Sequence, residues 1–500
     1  MEAAPPVTGR APVMAERGLF SGVFGRGDVD TGDQAWLAAM LDTEAALARA
    51  LERAGLAPAG AGAVVTQAAN AGTIDAADLG RRAALTGNPV PALVRALTRS
   101  VPAAAAAAVH RGATSQDIID TAAMLLARRA LAAIVADVSA AADAAAGLAA
   151  AHRDTVMIGR TLLQQAVPVT FGLVAAGWLT GLDEARANLD RVRAGRLAVQ
   201  FGGAAGTLSS LGADGPRVAA LLAEELGLPL PVLPWHTDRL RIVEVAASCA
   251  CAAAALGKIA GDVTLLAQSE VAEVREGDVG DVGGVGDVGD VRGVEGEGGA
   301  ASETAGGENA RRGGSSAMPH KRNPVAAIAV LGCTRRVPGL LATLAAAAEQ
   351  EHQRAAGAWH SEWEPFADLP RLTGSAASWG ADLLAGLRVD PARMRANLDS
   401  ARGLPLAERV AGLLAPAVGA VAANDLIAQA SAPAAAGEST LRESLLGVPD
   451  VRRRLDQAGI TTTQIDAALD PAGYLGAAGE FTDAALAAHR AAALARPRDG

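Results

Sequence analysis

One stretch of the chain limits its fold more than any other. From residue 116 to about residue 152 the sequence is rich in Ala and Leu at helical spacing, and no proline interrupts it. At 1.5 Å per residue, this stretch predicts a helix roughly 55 Å long. A helix of that length in a soluble protein usually belongs to a bundle. The sequence therefore favours an elongated helical architecture over several small mixed domains.

Further long helices are predicted at 169–197 and 240–274, and a fourth from Pro324 with a kink at Pro338. The glycine-rich stretch 201–207 follows no predicted strand and lacks the spacing of a dinucleotide-binding loop. Long helices joined by loops at their ends predict an all-α subunit with a central up-down bundle.

The N-terminal part contains shorter elements. An amphipathic helix is predicted over 33–54, with Asp33, Glu44 and Arg53 facing water. The stretch 87–91 predicts a turn between two short helices, and 159–168 is expected to be a loop.

Composition divides the chain. Residues 1–17 lack periodicity and are expected to be disordered. Residues 277–312 form an acidic, glycine-rich insert, expected to be a solvated, disordered expansion of a loop, and near-repeats of Gly-Asp-Val fill its part 277–299. Beyond residue 364 the predicted helices become shorter. We therefore expect an N-terminal helical domain over 1–111, the long-helix bundle over 112–364 and a small helical domain over 365–500.

Composition also excludes several classes of function. Hydrophobic residues make up 50% of the chain but aromatic residues only 3%, so the core must consist of Ala, Leu and Val, and we expect association into a homo-oligomer. A net charge of -10 without a basic patch argues against nucleic acid. No apolar run looks long and charge-free enough to span a bilayer, and no signal peptide is visible, so a cytoplasmic location is expected. The cysteines suggest neither a disulfide framework nor a metal site.

The segment 313–324 combines adjacent serines, a lysine and an asparagine at the expected start of a helix. Asn323 suits the N-cap and Pro324 the first helical position. A helix N-terminus attracts anions, so this loop suits the binding of a carboxylate.

The same segment resembles the signature G-S-S-x-M-P-x-K-x-N-P of the fumarase/aspartase superfamily, and 110–117 and 159–166 resemble two other regions of it. The resemblance implies a three-domain subunit in a homotetramer, with each site built from three subunits. It also implies a small carboxylate substrate. No Asp, Glu or His cluster has metal-ligand spacing and nothing in the sequence implies an organic cofactor, so neither a metal ion nor a cofactor is expected.

Catalysis in this superfamily moves a proton beside a carboxylate. The resemblance assigns that proton to Ser315, with Ser316 as the competing candidate, and assigns stabilisation of the charged intermediate to Lys321 and Asn323. Substrate contacts are expected from Asn88, His110, Thr114, Ser115, Arg160, Thr161, Gln164, His236, Arg239, Ser316 and Met318. For the histidines a structural role at a helix start is the alternative, and for the arginines a surface or helix-capping role.

One departure separates branches of the superfamily. Where many of its lyases carry a histidine in G-R-T-H-x-Q, this chain has Leu162, which cannot transfer a proton. Over residues 36–411, apart from the insert, the chain resembles the 3-carboxy-cis,cis-muconate cycloisomerases of protocatechuate degradation. Their reaction uses a carboxylate of the tricarboxylate substrate as nucleophile and releases no amine. An adenylosuccinate- or argininosuccinate-type lyase and a catalytically silent scaffold are the alternatives.

Overall fold

The computed structural model describes residues 18–277, 313–314, 318 and 320–494. These residues form α-helices joined by turns and short 3-10 segments. The helices are α1 Ser21–Phe24, α2 Asp33–Arg53, α3 Ala61–Asn70, α4 Ala76–Thr86, α5 Val90–Arg99, α6 Ala103–Ala106, α7 Ser115–Ala151, α8 Phe171–Gly195, α9 Gly215–Leu226, α10 Leu240–Leu266, α11 Val325–Thr334, α12 Val337–Ala346, α13 Ala358–Ser361, α14 Trp363–Ala385, α15 Pro391–Ser400, α16 Ala407–Val418, α17 Ala420–Ala435, α18 Leu441–Gly447, α19 Pro449–Gln457, α20 Thr462–Ala468 and α21 Ala478–Leu494.

Two small antiparallel sheets interrupt the helices. Strand β1 (Val156–Thr161) pairs with β2 (Gln164–Thr170), and β3 (Val274–Glu276) pairs with β4 (Leu387–Val389). The expectation of a loop over 159–168 is therefore wrong, because those residues belong to the β1–β2 hairpin. With strands this short, the prediction of an all-α fold is confirmed.

The long helices agree with the sequence pattern in place and type. Helix α7 covers almost the whole predicted stretch, whereas α8 and α10 are shorter than expected. The predicted fourth helix is two helices, α11 and α12, and Pro338 lies in the first turn of α12. Proline is tolerated there because the first N–H groups of a helix have no partner within it. The chain therefore begins a new helix beside Pro338, where a kink within one continuous helix was expected.

The described residues fall into two compact units. Unit 1 comprises the described residues of Met1–Val138, Ala185–Gly257 and Ala329–Trp379. Unit 2 comprises the described residues of Ser139–Glu184, Lys258–Ile328 and Gly380–Gly500. The sequence-based domain boundaries at 111/112 and 364/365 stay a prediction.

In unit 1, helix α2 packs against α3 and α9 and is buried on nearly all sides. Its core residues are mostly Ala and Leu, as the composition required. Glu44 is also fully buried, at 0% exposure. The prediction that it faces water is wrong, because its partner comes from a distant part of the chain that helical periodicity does not reveal.

Unit 2 contains its own C-terminal core. Apolar side chains from α16 to α20 form one cluster of buried Leu, Val, Ile and Ala residues. Leu414 and Leu441 are among its fully buried members. The small side chains let the short helices approach closely, which agrees with the low aromatic content of the chain.

Two stretches, Leu240–Leu266 and Val325–Ala346, are long and apolar enough to cross a membrane by length and composition alone. The expectation that no apolar run reaches this length is therefore wrong. Their most apolar windows are 50% and 33% buried within the protein. Core helices of soluble proteins satisfy the same criterion, so this property is weak support for a membrane span.

Candidate active site

His110 lies in the loop before α7 and is held by a buried carboxylate from α2. Its Nδ1 is 2.6 Å from Glu44 Oε1, and its backbone N–H donates to Glu44 Oε2 at 3.0 Å. Burial acts to lower the pKa of His110, but the hydrogen bond to Glu44 and the charges of Glu44 and Asp117 outweigh it, so the pKa is raised above its ordinary value. His110 is therefore poised to carry a positive charge.

Asp117, in the first turn of α7, is the centre of a second group of contacts. It accepts backbone N–H groups from Thr114, Gly202 and Gly203, each at 2.9 Å. His236 places its Nε2 2.7 Å from Asp117 Oδ1. Asp117 thus fixes the start of α7 to the glycine-rich stretch 201–207. It also fixes the predicted site residue His236, which is only 4% exposed.

Close packing explains one glycine of that stretch. A Cβ at Gly202 would lie 2.7 Å from the Pro234 side chain and 2.9 Å from the ring of His236. A side chain at position 202 would displace Pro234, the His236 ring or both, so the glycine preserves the packing that holds His236 beside Asp117. The sequence pattern identified the loop, but not this role.

Arg239 is enclosed by two carboxylates. Its guanidinium donates to Asp120 at 2.7 and 3.0 Å and to Glu362 at 2.6 and 2.9 Å, and all three side chains are buried. Burial acts to lower the pKa of Arg239, but the charges and hydrogen bonds of Asp120 and Glu362 together outweigh it and raise the pKa above its ordinary value. This arrangement favours a structural role for Arg239 rather than the substrate contact expected from the sequence.

Gln116 and Arg354 extend this network. Gln116 donates to the His236 carbonyl at 2.8 Å and accepts from Arg354 at 3.1 Å. Arg354 also donates to the carbonyls of Gly203 and Ala204. Arg354 was not among the expected site residues, because it lies in an irregular segment and no motif marks it.

The remaining predicted residues of unit 1 lie at turns. Asn88 is in the turn between α4 and α5, where its Oδ1 accepts the Val90 N–H at 3.1 Å. Thr114 immediately precedes α7, and Ser115 is its first residue. Both are half-buried. Unit 1 therefore brings together His110, Thr114 and His236 through Asp117 and its neighbours.

In unit 2, the β1–β2 hairpin carries Arg160, Thr161 and Gln164. Thr161 pairs with Gln164 across a two-residue turn formed by Leu162 and Leu163. Both leucines have positive φ, 51° and 63°, and their exposed fractions are 96% and 72%. Two-residue turns of this type favour Asn-Gly, so two exposed leucines make a strained and unusual tip.

Arg160 points to a buried carboxylate. Its two terminal nitrogens each donate to Glu273 at 2.8 Å, and Glu273 also accepts from Asn397 at 2.8 Å. Glu273 is 0% exposed. This bidentate pair orders the hairpin, and it occupies the Arg160 donors that the sequence assigned to substrate.

The stem of the signature loop is closed by backbone pairing. Asn323 donates its backbone N–H to the Gly313 carbonyl at 2.9 Å and its side-chain amide to the same oxygen at 3.2 Å. Gly314 forms a β-bridge with Arg322. Met318 and Lys321 are exposed. Ser315 and Ser316, and residues 278–312 of the predicted insert, lie outside the described residues.

The prediction that Asn323 caps the N-terminus of α11 is wrong. The side chain of Asn323 bonds to Gly313 and not to the helix, which begins at Val325. Glu276 supplies the cap instead, because its carboxylate accepts the N–H groups of Ala326 at 3.1 Å and Ala327 at 2.9 Å. These two N–H groups are therefore occupied by a residue of the same chain and not by a bound carboxylate.

Within the described ranges, no group of three or more His, Cys, Asp or Glu side chains could hold a metal ion. Unit 1 contains His110, whose pKa is raised. Unit 2 contains the exposed Lys321, in a loop whose stem is held by backbone hydrogen bonds. Such groups suit proton transfer and the binding of anions.

A protein-family model described as "Lyase" matches residues 32–283. The chain belongs to the fumarase/aspartase superfamily. This confirms the family predicted from the loop signature.

Relatives within the superfamily are similar along most of their length. The chain is 45% identical to 3-carboxy-cis,cis-muconate cycloisomerase of Bradyrhizobium diazoefficiens, over 91% of this chain and 94% of that protein. It is 43% identical to nitrosuccinate lyase of Streptomyces davaonensis, over 95% of both. The crystal structure of 3-carboxy-cis,cis-muconate lactonizing enzyme from Pseudomonas putida matches with a TM-score of 0.81 and 39% identity, covering 95% of this chain and 99% of that one.

Proposed function

We propose that the protein is a 3-carboxy-cis,cis-muconate cycloisomerase that forms 4-carboxymuconolactone during protocatechuate degradation in the cytoplasm. The observation that carries the proposal is the relative of that name, 45% identical over 91% of the chain. The superfamily's proton-transfer chemistry beside a carboxylate agrees with this activity.

Written as free acids, the substrate and the lactone are isomers, whereas at neutral pH the ionised substrate takes up one proton, which the enzyme regains from solvent. An ionised carboxylate of the substrate adds through oxygen to a carbon of the diene, and the neighbouring carbon takes a proton. Ser315 supplies that proton, and Lys321 with the loop amides stabilises the negative charge that develops on the adjacent carboxylate. Because the nucleophile is part of the substrate, no leaving group needs protonation.

Leu162 supports this choice of reaction. A leucine cannot act as an acid, and it stands at the hairpin tip where many lyases of the superfamily carry a histidine. An adenylosuccinate- or argininosuccinate-type lyase would need another acid for its leaving amine. Lactonisation has no such requirement.

The proposed active form is a homotetramer whose sites are shared between subunits. The exposed pair Leu162 and Leu163 supports association, because a strained apolar tip gains most when another chain covers it. In this assembly His110 and His236 of one subunit, the hairpin of a second and the signature loop of a third surround a small tricarboxylate.

A second candidate is supported by the nitrosuccinate lyase relative, which is 43% identical over 95% of the chain. In that case the same loop would remove a proton beside a carboxylate while the carbon–nitrogen bond breaks, releasing nitrite.

The purified protein should bleach the ultraviolet absorbance of the diene when mixed with 3-carboxymuconate, because lactonisation removes the conjugation. Parallel assays with nitrosuccinate, adenylosuccinate and argininosuccinate should show no release of nitrite or of the amine product. Turnover of one of these substrates without consumption of the diene would replace the proposal with the corresponding lyase.

A further inference from the structure

The contact between Glu44 and His110 joins a buried carboxylate to a partly exposed histidine ring. Glu44 is fully buried in α2, whereas the His110 side chain is 20% exposed. Transfer of an ionised carboxylate out of water is costly unless it is paired and hydrogen-bonded. His110 supplies a partner for both oxygens of Glu44. Its ring Nδ1 lies beside Oε1, and its backbone N–H donates to Oε2.

Glu44 also stabilises an uncommon backbone conformation of His110. His110 has a φ of 58°, in the left-handed region that residues with side chains rarely adopt. Such strain persists when the surroundings fix the conformation. A hydrogen bond from the His110 N–H to a buried carboxylate does so, and it orients the ring with Nδ1 towards α2.

The opposite edge of the ring remains for another partner. Nε2 of His110 has no hydrogen bond to any residue that the structure describes. The charged groups around His110 are Glu44 from α2 and Asp117 from α7, and both favour a protonated ring. The neighbouring Arg111 directs its guanidinium to the Leu56 carbonyl instead.

We propose that Glu44 is a positioning residue that keeps His110 as an imidazolium, whose Nε2–H binds one carboxylate of the substrate. The inference rests on the proposed function for the identity of that substrate. Glu44 itself stays behind the ring and acts through His110. A buried carboxylate thus converts a titratable histidine into a fixed cationic donor for a substrate with several negative charges.

The first test requires no substrate. His110 is titrated by nuclear magnetic resonance in protein labelled at the histidine ring, and H110Q identifies its signal. We expect a His110 pKa above its ordinary value in the wild type and a lower pKa in E44Q, which keeps the shape but removes the charge. An unchanged His110 pKa in E44Q overturns the proposal, whichever substrate the enzyme uses.

The second test separates positioning from general stability. E44Q should raise KM for 3-carboxymuconate about tenfold, the size expected for loss of a charge-assisted hydrogen bond, with a smaller change in kcat. Adding E44Q to H110Q should have little further effect on KM, because Glu44 acts only through His110. The double variant also avoids leaving Glu44 buried without a partner.

Asp42 provides a matched control on the same helix. Its carboxylate is exposed and pairs with Arg129 at 2.8 Å, so D42N should leave the His110 pKa and KM unchanged. Full additivity of E44Q and H110Q in KM would overturn the proposal. Failure to consume 3-carboxymuconate would count against the proposed function alone, since the titration is independent of it.

Discussion

A single hydroxyl, that of Ser315, carries the proton in the proposed reaction. The change Ser315→Ala should lower kcat by about 10² or more, the contribution typical of general acid–base catalysis, with little effect on KM. Diene absorbance measures both constants. Ser316→Ala is the matched control and should reduce activity much less. If Ser315→Ala keeps wild-type turnover and Ser316→Ala loses it, the proton-transfer role belongs to Ser316.

Asp137 gives a residue-scale prediction about stability. Burial and the nearby charge of Asp28 raise its pKa to about 6, while Arg26 opposes them. The folded state therefore binds this proton more tightly than the unfolded state, and the stability gained at low pH is lost as pH rises from about 4 to about 6. Asp137→Asn removes the penalty. The whole shift corresponds to about 3 kcal/mol, and solvent screening of this partly exposed group reduces it, so the free energy of unfolding at pH 7.5 should rise by roughly 1–2 kcal/mol.

Denaturant titration at two pH values measures this effect. At about pH 3, below both the ordinary and the raised pKa, the carboxyl is largely protonated in both states, so the variant and the wild type should unfold at similar denaturant concentrations. An equal gain at both pH values would show that the charge of Asp137 is not its source.

At the scale of elements, the stem of the signature loop depends on Gly313. Its φ is +79°, and a Cβ there would lie 2.2 Å from the Asn323 carbonyl oxygen. Gly313→Ala should therefore break the pairing of Gly313 with Asn323 and lower kcat/KM at least about tenfold, as small displacements of catalytic groups do. Helical content by circular dichroism should not change.

Gly339→Ala is the control for that substitution. Gly339 lies in α12, where a Cβ would meet no described atom within 4 Å and no positive φ is required. Alanine is the better helix former, so the control should retain activity and unfold at the same temperature or slightly above. Similar losses in both variants would contradict a specific role for the loop stem.

The sequence predicted elements whose signal is local. The long helices follow from periodicity and the absence of proline, and α7 begins and ends within a residue of its predicted range. The β1–β2 hairpin was missed because each strand is stabilised by its partner rather than by its own pattern.

Site residues show the same division. The motif identified His110 and the signature loop, but nothing local shows that Glu44 is buried against His110. Likewise, the sequence assigned the cap of α11 to the adjacent Asn323, whereas Glu276 reaches it from a distant segment. Long-range polar contacts of this kind depend on the fold and cannot be inferred from spacing.

At the scale of the whole molecule, the proposed sharing of sites between subunits predicts complementation between weakly active variants. Alone, Ser315→Ala subunits should be almost inactive, and His110→Gln subunits should be weak at substrate concentrations well below their raised KM. Tetramers that contain both should recover part of the activity, because some sites then receive His110 and Ser315 from intact copies. Co-expression with two affinity tags and purification of the mixed tetramer measures this. Mixed tetramers without recovered activity would place His110 and Ser315 of one chain in the same site.

In the proposed tetramer, the paired leucines of the hairpin tip would link catalysis to protein concentration. Each left-handed leucine costs roughly 1–2 kcal/mol, and a dissociated subunit would bear that cost with both side chains in water. Dissociation of the proposed tetramer on dilution would therefore separate each shared site into its contributing chains and expose the apolar tip to water at the same time. Replacing the pair with Asn-Gly would relax the turn and favour the dissociated subunit, so in the proposed tetramer activity would begin only when the subunits assemble.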